Sequence, residues 1–155
     1  MPELHSTYSL SIDWTEGKQG SVHSPDGVPD LAIASPPQFG GPGGRWTPEH
    51  LFISSAAACW MTTFLAVAEL SKLEVVAVAV GAGGFLEKGD DRKFSIARIL
   101  LQPRVSVRRE EDREKALRLI QKAEDACLVS RSMRTAVELA PEVATRRLAG
   151  LNLRS

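Results

Sequence analysis

The sequence carries no net charge, because its 19 lysine and arginine residues are offset by 19 aspartate and glutamate residues. A surface without excess positive charge offers no general electrostatic attraction to nucleic acid, so we expect no nucleic-acid partner. A neutral chain also lacks self-repulsion, which leaves association between copies open.

The sequence also has little that would direct it to a membrane or out of the cell. Residues 1–6, MPELHS, contain neither a basic nor an apolar segment, so we expect no signal peptide. Glu69, Lys72 and Glu74 interrupt the longest apolar stretches, and we therefore expect no membrane span. These features predict a cytoplasmic protein.

Cysteine is scarce, with only Cys59 and Cys127 in the chain. In a reducing compartment such a pair is more often catalytic, redox-active or metal-binding than structural. A chain of 155 residues can bury a core without disulfides, so we expect one domain over residues 1–155.

The first half of the chain shows strand alternation and then a helix start. Residues 7–13 alternate apolar and polar side chains, which predicts a strand. Thr47 is a favourable N-cap, Pro48 suits the first helical position, and Glu49 places a negative charge at the positive end of the helix dipole. We predict N-terminal strands within 7–34, a Gly/Pro loop over 35–46 and a central apolar helix over 48–73.

The second half predicts a long hairpin, a helix and a last strand. A valine-rich run from residue 74 ends at glycines 81, 83 and 84, and Pro103 favours an edge or bulge position in the strand over 94–107. We predict strands within 74–107, a helix over 109–126, a final strand over 136–144 and a loosely ordered basic tail. The fold class is α+β, with the long apolar helix packed along a sheet or against a partner.

Two thiols on different elements can carry out peroxide chemistry if other groups assist them. The attacking thiol must be a thiolate, so it needs a nearby cation or helix N-terminus. A second thiol must trap the sulfenic acid as a disulfide, and a polar group must hold the peroxide oxygens. Candidates are the thiols Cys59 and Cys127, the acid Glu49, and the cations Lys18 and Arg45 in loops before the helix.

The same residues also allow other functional interpretations. Each cysteine taken alone is typical of a buried core residue. A Cys-His hydrolase would need His5 or His23 as base, because His50 lies about 180° around the helix from Cys59. No closely spaced pair of cysteines or histidines predicts a zinc site. A non-catalytic domain that binds a small apolar ligand between subunits is the main alternative.

Three segments resemble the OsmC/Ohr family. Residues 46–52, WTPEHLF, followed by 56–59, AAAC, are similar to its central motif, roughly NPE-x-L and then A-A-x-C. Residues 123–130, AEDACLVS, resemble its second motif, roughly A-x-x-x-C-P-x-S, and residues 14–17, WTEG, resemble its opening strand and turn. The resemblance covers about residues 8–143.

This resemblance implies a thiol-dependent reductase of organic hydroperoxides, used against oxidative stress. The implied fold is α+β with antiparallel sheets and a long central helix, built as an intertwined homodimer with sites at the subunit interface. Cys59 corresponds to the peroxidatic cysteine, Cys127 to the resolving one and Glu49 to the motif glutamate. The implied reductant is a lipoyl-type dithiol or a small thiol, and no metal or organic cofactor is implied.

The chain departs from the family pattern at three positions. The family places an arginine near the thiolate, at one of two early positions, and this chain has Lys18 at the first and Gln38 at the second. Lys18 or Arg45 could substitute, although lysine lacks the planar fork that binds an anion through two bonds. Leu128 stands where the family often has proline.

Helix geometry constrains how Glu49 can serve Cys59. Ten residues on one straight helix correspond to about 15 Å along the axis, which is too far for a shared site. Either the helix begins after Glu49, or Glu49 serves the Cys59 of a second subunit.

Overall fold

The computed structural model describes residues 6–145, and the expected basic tail lies almost wholly outside that range. The chain divides into two compact units, with the boundary between Leu51 and Phe52. The fold class is α+β, as expected.

The first unit contains a three-stranded antiparallel sheet, formed by β1 (Ser11–Trp14), β2 (Gln19–His23) and β3 (Leu31–Ala34) in sheet order β1-β2-β3. The expected start of the first strand at residue 7 is wrong. Ser11 pairs with His23, where β2 ends, so residues 7–10 have no β2 partner to extend the ladder. The Gly/Pro loop contains one short 3-10 turn, Pro37–Phe39.

Helix α1 (Pro48–Leu70) begins where its local sequence predicts. The Thr47 hydroxyl accepts a hydrogen bond from the backbone N–H of His50 at 3.1 Å. The backbone N–H of Thr47 in turn donates to Nδ1 of His50 at 3.3 Å. This reciprocal pair satisfies two N–H groups that the first turn leaves unpaired, as a capping box does.

Helix α1 ends three residues before the predicted limit of residue 73. Lys72 has a left-handed backbone with φ of 56°, which a helix cannot contain. The N–H of Leu73 then donates to the carbonyl of Ala68 at 2.9 Å, which closes the helix end with a Schellman-type bond.

The second unit contains a mixed sheet built around one long hairpin. Strands β4 (Val75–Lys88) and β5 (Phe94–Val107) are antiparallel, and β6 (Ala136–Leu139) and β7 (Glu142–Thr145) both pair with β5 in parallel. The single final strand expected over 136–144 is therefore two strands. Pro103 lies on this interior strand, between the residues that pair with β6 and those that pair with β7, so its expected edge position is wrong.

Glycines do not end β4, although we expected them to. Gly81, Gly83 and Gly84 all pair within the ladder to β5, opposite Gln102, Leu100 and Ile99. A Cβ placed on Gly84 would lie 2.5 Å from Cδ1 of Ile53, so the missing side chain lets α1 approach the strand closely.

The core of this unit lies between the sheet and two helices. Trp60 and Phe64 on α1 are fully buried and stack with ring centroids 5.1 Å apart, and the Trp60 indole donates to the carbonyl of Ile120 at 3.1 Å. Helix α2 (Arg113–Asp125) follows a 3-10 turn and is shorter than the predicted 109–126. It buries four residues at the predicted helical spacing: Ala116, Leu119, Ile120 and Ala123. A short helix, α3 (Leu128–Arg131), follows.

Helix α1 is long and apolar enough, by length and composition alone, to cross a membrane. The residues expected to interrupt it do not do so, because Glu69 lies in its last turn and Lys72 lies beyond its end. Burial of Trp60 and Phe64 identifies α1 as a core helix of the second unit. Its other face remains partly exposed, with Leu65 at 44% of its full accessibility.

Candidate active site

Cys59 lies on α1 and is partly buried. Its sulfur is 3.9 Å from the hydroxyl of Thr63, one helical turn further along the same face. Burial alone raises the pKa of Cys59, but the opposing effect is larger. Hydrogen bonds from the Val129 N–H, the Cys127 thiol, the Thr63 hydroxyl and the Leu128 N–H lower that pKa below its ordinary value.

Cys127 is fully buried and joins α2 to α3. Its backbone is extended, with φ of −65° and ψ of 113°, so the chain changes direction here and presents the first N–H groups of α3 to Cys59. Burial raises the pKa of Cys127, and the neighbouring Cys59 raises it further against the opposing effect of Ser130. The two thiols therefore differ in acidity: Cys59 ionises more easily and Cys127 less easily than a free cysteine.

Both cysteines are free, and each affects the pKa of the other. The expected juxtaposition of the end of the second helix with the middle of the first is thus present. Thr63, Ser130 and the N–H groups of Leu128 and Val129 were not among the predicted site residues. Thr63 could have been found from its i+4 spacing to Cys59, and Ser130 from the last position of the second motif.

Lys18 and Glu49 line one cavity of the first unit, which has a volume of about 420 Å³. The Lys18 ammonium donates to the carbonyl of Phe39 at 2.7 Å. Oε2 of Glu49 is buried, and within residues 6–145 it has no hydrogen-bond partner. Trp14, Ile33 and Pro36 contribute apolar walls and Asp13 is a second acidic residue in the lining, so the cavity combines a cation, acidic residues and hydrophobic surface.

Arg45 lies elsewhere in the first unit, and the lining of that cavity does not include it within the described residues. It is exposed and donates a long bond of 3.5 Å to the carbonyl of the preceding Gly44. Of the two cations proposed from the sequence, Lys18 is thus the one that shares a cavity with Glu49.

Glu49 belongs to the same helix as Cys59, because α1 begins at Pro48. The first of our two alternatives, a helix that begins after Glu49, is therefore wrong. Ten residues of α-helix correspond to about 15 Å along the axis, and the other alternative, in which Glu49 serves the Cys59 of a second subunit, stays a prediction.

The histidines have other partners. His23 lies between Asp30, 2.9 Å from Nδ1, and Asp13, 3.2 Å from Nε2. His50 bonds to its own N-cap residue Thr47, and His5 lies outside the described residues. Across residues 6–145, no three His, Cys, Asp or Glu side chains are grouped as metal ligands.

The α+β fold places Cys59 on its long helix near Cys127 at the junction of α2 and α3, and comparison with known families identifies the class of protein. Residues 41–142 match the family described as OsmC-like protein, and this chain belongs to that family. The uncharacterized protein YmaD of Bacillus subtilis is 27% identical over 146 residues, which cover 90% of this chain and 94% of YmaD.

Further relatives agree with this assignment. The organic hydroperoxide resistance protein OhrB of Bacillus subtilis is 29% identical over 136 residues, which cover 88% of this chain and 97% of OhrB. The crystal structure of OhrB superimposes with a TM-score of 0.64, covering 88% of this chain and 98% of that one. An OsmC-like protein of unknown function from Vibrio cholerae shares the fold with a TM-score of 0.81 at 19% identity, covering 89% of this chain and all of that one.

Proposed function

We propose that this protein reduces organic hydroperoxides in the cytoplasm as a defence against oxidative stress. The observation that carries the proposal is the pairing of Cys59, whose pKa is lowered, with Cys127, whose pKa is raised. The names of OhrB and other relatives as organic hydroperoxide resistance proteins support the same substrate class.

In the first step the Cys59 thiolate attacks the distal oxygen of the hydroperoxide. The O–O bond breaks, Cys59 becomes a sulfenic acid, and the alkoxide leaves as an alcohol after taking a proton. The Cys127 thiol then attacks the Cys59 sulfur, forms the disulfide and releases water. A dithiol of the lipoyl type reduces the disulfide, so sulfur is both nucleophile and redox centre, and the cycle uses no metal or organic cofactor.

We further propose that the active form is a homodimer in which Glu49 and a cation of one subunit serve Cys59 of the other. The rise of about 15 Å between Glu49 and Cys59 along α1 supports this arrangement, as does the partly exposed second face of that helix. Lys18 is the preferred cation, since it lines the cavity of Glu49, and Arg45 is the second candidate.

The activity is tested by consumption of cumene hydroperoxide with dihydrolipoamide as reductant. We expect turnover by the wild type, none by Cys59→Ser, and a sulfenic acid that persists on Cys59 in Cys127→Ser. Mass spectrometry of oxidised wild type should find the Cys59–Cys127 disulfide. A wild type that consumes no peroxide with any dithiol would contradict the proposal and favour the non-catalytic alternative, a small apolar ligand between subunits.

The shared site is tested by mixing two variants that are each inactive or impaired. Lys18→Met should slow sulfenic acid formation roughly tenfold or more, and Arg45→Met should change it much less. Mixed dimers of Lys18→Met with Cys59→Ser contain one site with both an intact Lys18 and an intact Cys59. Recovery of fast peroxide reduction on mixing supports the shared site, and no recovery in verified mixed dimers overturns it.

A further inference from the structure

Two buried polar atoms lie behind Cys127 and have no role in the cycle described so far. Oε2 of Glu124, near the end of α2, and Oγ of Ser130, on α3, are both buried. Neither completes a regular hydrogen bond to any group within residues 6–145. Leaving such a group unsatisfied costs about 1–3 kcal/mol, so each one in a folded protein calls for an explanation.

Both residues are held close to the Cys127 thiol. The backbone N–H of Cys127 donates to the carbonyl of Glu124 at 3.1 Å, which fixes the turn between α2 and α3. Ser130 approaches the Cys127 sulfur with its hydroxyl and its N–H. The same hydroxyl also lies close enough to the Glu124 carboxyl to affect its ionisation. Ser130 therefore lies near enough to both the thiol and the carboxyl to affect the ionisation of each.

This arrangement addresses a chemical difficulty in the second step. Cys127 must lose its proton to attack the sulfenic acid, because the thiolate is the nucleophile. Its side chain is fully buried, so bulk water cannot accept that proton directly. A positioned base is the usual means of removing a proton under these conditions.

We propose that Ser130 and Glu124 form a proton path that deprotonates Cys127 during disulfide formation, with Glu124 as a positioning residue that acts through the Ser130 hydroxyl. The Cys127 proton passes to Ser130 while the Ser130 proton passes to Glu124. The Cys127 sulfur then bonds to the Cys59 sulfur, the S–O bond of the sulfenic acid breaks, and the hydroxide leaves as water with the proton that Glu124 returns. This inference rests on the proposed peroxidase cycle.

The charges around the path favour this role. Burial raises the pKa of Glu124, and the neighbouring Asp125 adds to that rise against the opposing effect of Ser130, which makes the carboxylate a stronger base than a free glutamate. Within residues 6–145, the groups that shift the pKa of Glu124 or Cys127 are Asp125 on α2, Ser130 on α3 and Cys59 on α1. None of these three groups is a cation.

The test separates the two steps in a single turnover with one equivalent of cumene hydroperoxide. Sulfenic acid is captured with a cyclic 1,3-dione, disulfide is measured by non-reducing mass spectrometry, and both rates are followed across pH. The variants are Glu124→Gln and Ser130→Ala. The matched control is Glu114→Gln, which neutralises an exposed carboxylate on the same helix.

We expect both variants to form sulfenic acid at the wild-type rate but to form the disulfide roughly tenfold more slowly at neutral pH. The defect should disappear at high pH, where Cys127 ionises without a base, whereas a structural defect would persist at every pH. If Glu124→Gln does not fold, Ser130→Ala alone tests the same expected result. Normal sulfenic acid formation with unchanged disulfide formation in both variants overturns the proton path alone. Absence of sulfenic acid in the wild type overturns the peroxidase proposal and this inference with it.

Discussion

Cys59 and Cys127 act on each other's pKa in opposite directions: the neighbouring Cys127 thiol helps to lower the pKa of Cys59, while Cys59 raises the pKa of Cys127. One contact thus shifts the ionisation of both thiols, in opposite directions. In the proposed cycle, the thiol that attacks first is the more readily ionised of the two.

Leu128 supplies a hydrogen bond that the proline common at this position in the family cannot supply. Its N–H is one of the donors that lower the pKa of Cys59. Leu128→Pro removes that N–H with little expected strain, because Leu128 is the first residue of α3 and the extended backbone of Cys127 suits a residue before proline. We expect the pKa of Cys59 to rise and its alkylation by iodoacetamide to slow roughly threefold to tenfold at neutral pH.

Leu128→Ala is the matched control, since it removes the exposed side chain but keeps the N–H. The alkylation rates of all three proteins should converge at high pH, where each Cys59 is a thiolate. An equal slowing in the alanine variant would assign the effect to the side chain and contradict the prediction.

Thr63 offers a second test of how Cys59 is activated. Its hydroxyl lies 3.9 Å from the Cys59 sulfur and contributes to the lowered pKa. Thr63→Val should therefore raise that pKa and slow peroxide reduction several-fold at neutral pH, roughly the effect of one lost hydrogen bond. Thr62→Val is the control, because the hydroxyl of Thr62 is directed to the carbonyls of Ala58 and Cys59 instead of the sulfur. Equal pH profiles for the two variants would exclude a role for Thr63.

Phe64 tests the core that holds α1 in place. It is fully buried and stacked on Trp60 with an interplanar angle of 8°. Phe64→Ala should lower the free energy of unfolding by about 3–5 kcal/mol, through lost burial and the cavity left behind. Leu117→Ala, at a position 41% exposed on α2, should change it by about 0.5 kcal/mol or less. Urea denaturation at one protein concentration measures both, and a similar loss in the two variants would contradict this account of the core.

The start of α1 could be predicted from sequence because the cause is local. Thr47 and Pro48 set the cap and the first turn within a few residues. The length of β4 could not be predicted in this way. Gly81, Gly83 and Gly84 weaken a strand locally, but pairing with β5 and the close approach of Ile53 retain them in it.

The same distinction between local and long-range causes applies to the candidate site. The cysteine pair is visible in the sequence, because two thiols in suitable contexts suffice to suggest it. The N–H groups of Leu128 and Val129 act on Cys59 only because α3 packs against α1, a contact between residues about 70 apart in the chain. Likewise, only the folded first unit shows that Lys18 rather than Arg45 lines the cavity of Glu49.

His23 makes the stability of the first sheet depend on pH. The hydrogen bond to Asp30 raises the pKa of His23, and the charges of Asp30 and Asp13 add to the effect. A raised folded-state pKa means that folding favours the protonated ring. The stabilisation is therefore complete below the unfolded pKa of about 6.5 and is lost as pH rises through the higher folded value. We expect wild type to exceed His23→Gln in Tm by more at about pH 5.5 than at about pH 8.5, as measured by thermal denaturation. NMR titration of the His23 ring checks the cause directly, and a midpoint at or below that of a model peptide would contradict the predicted sign.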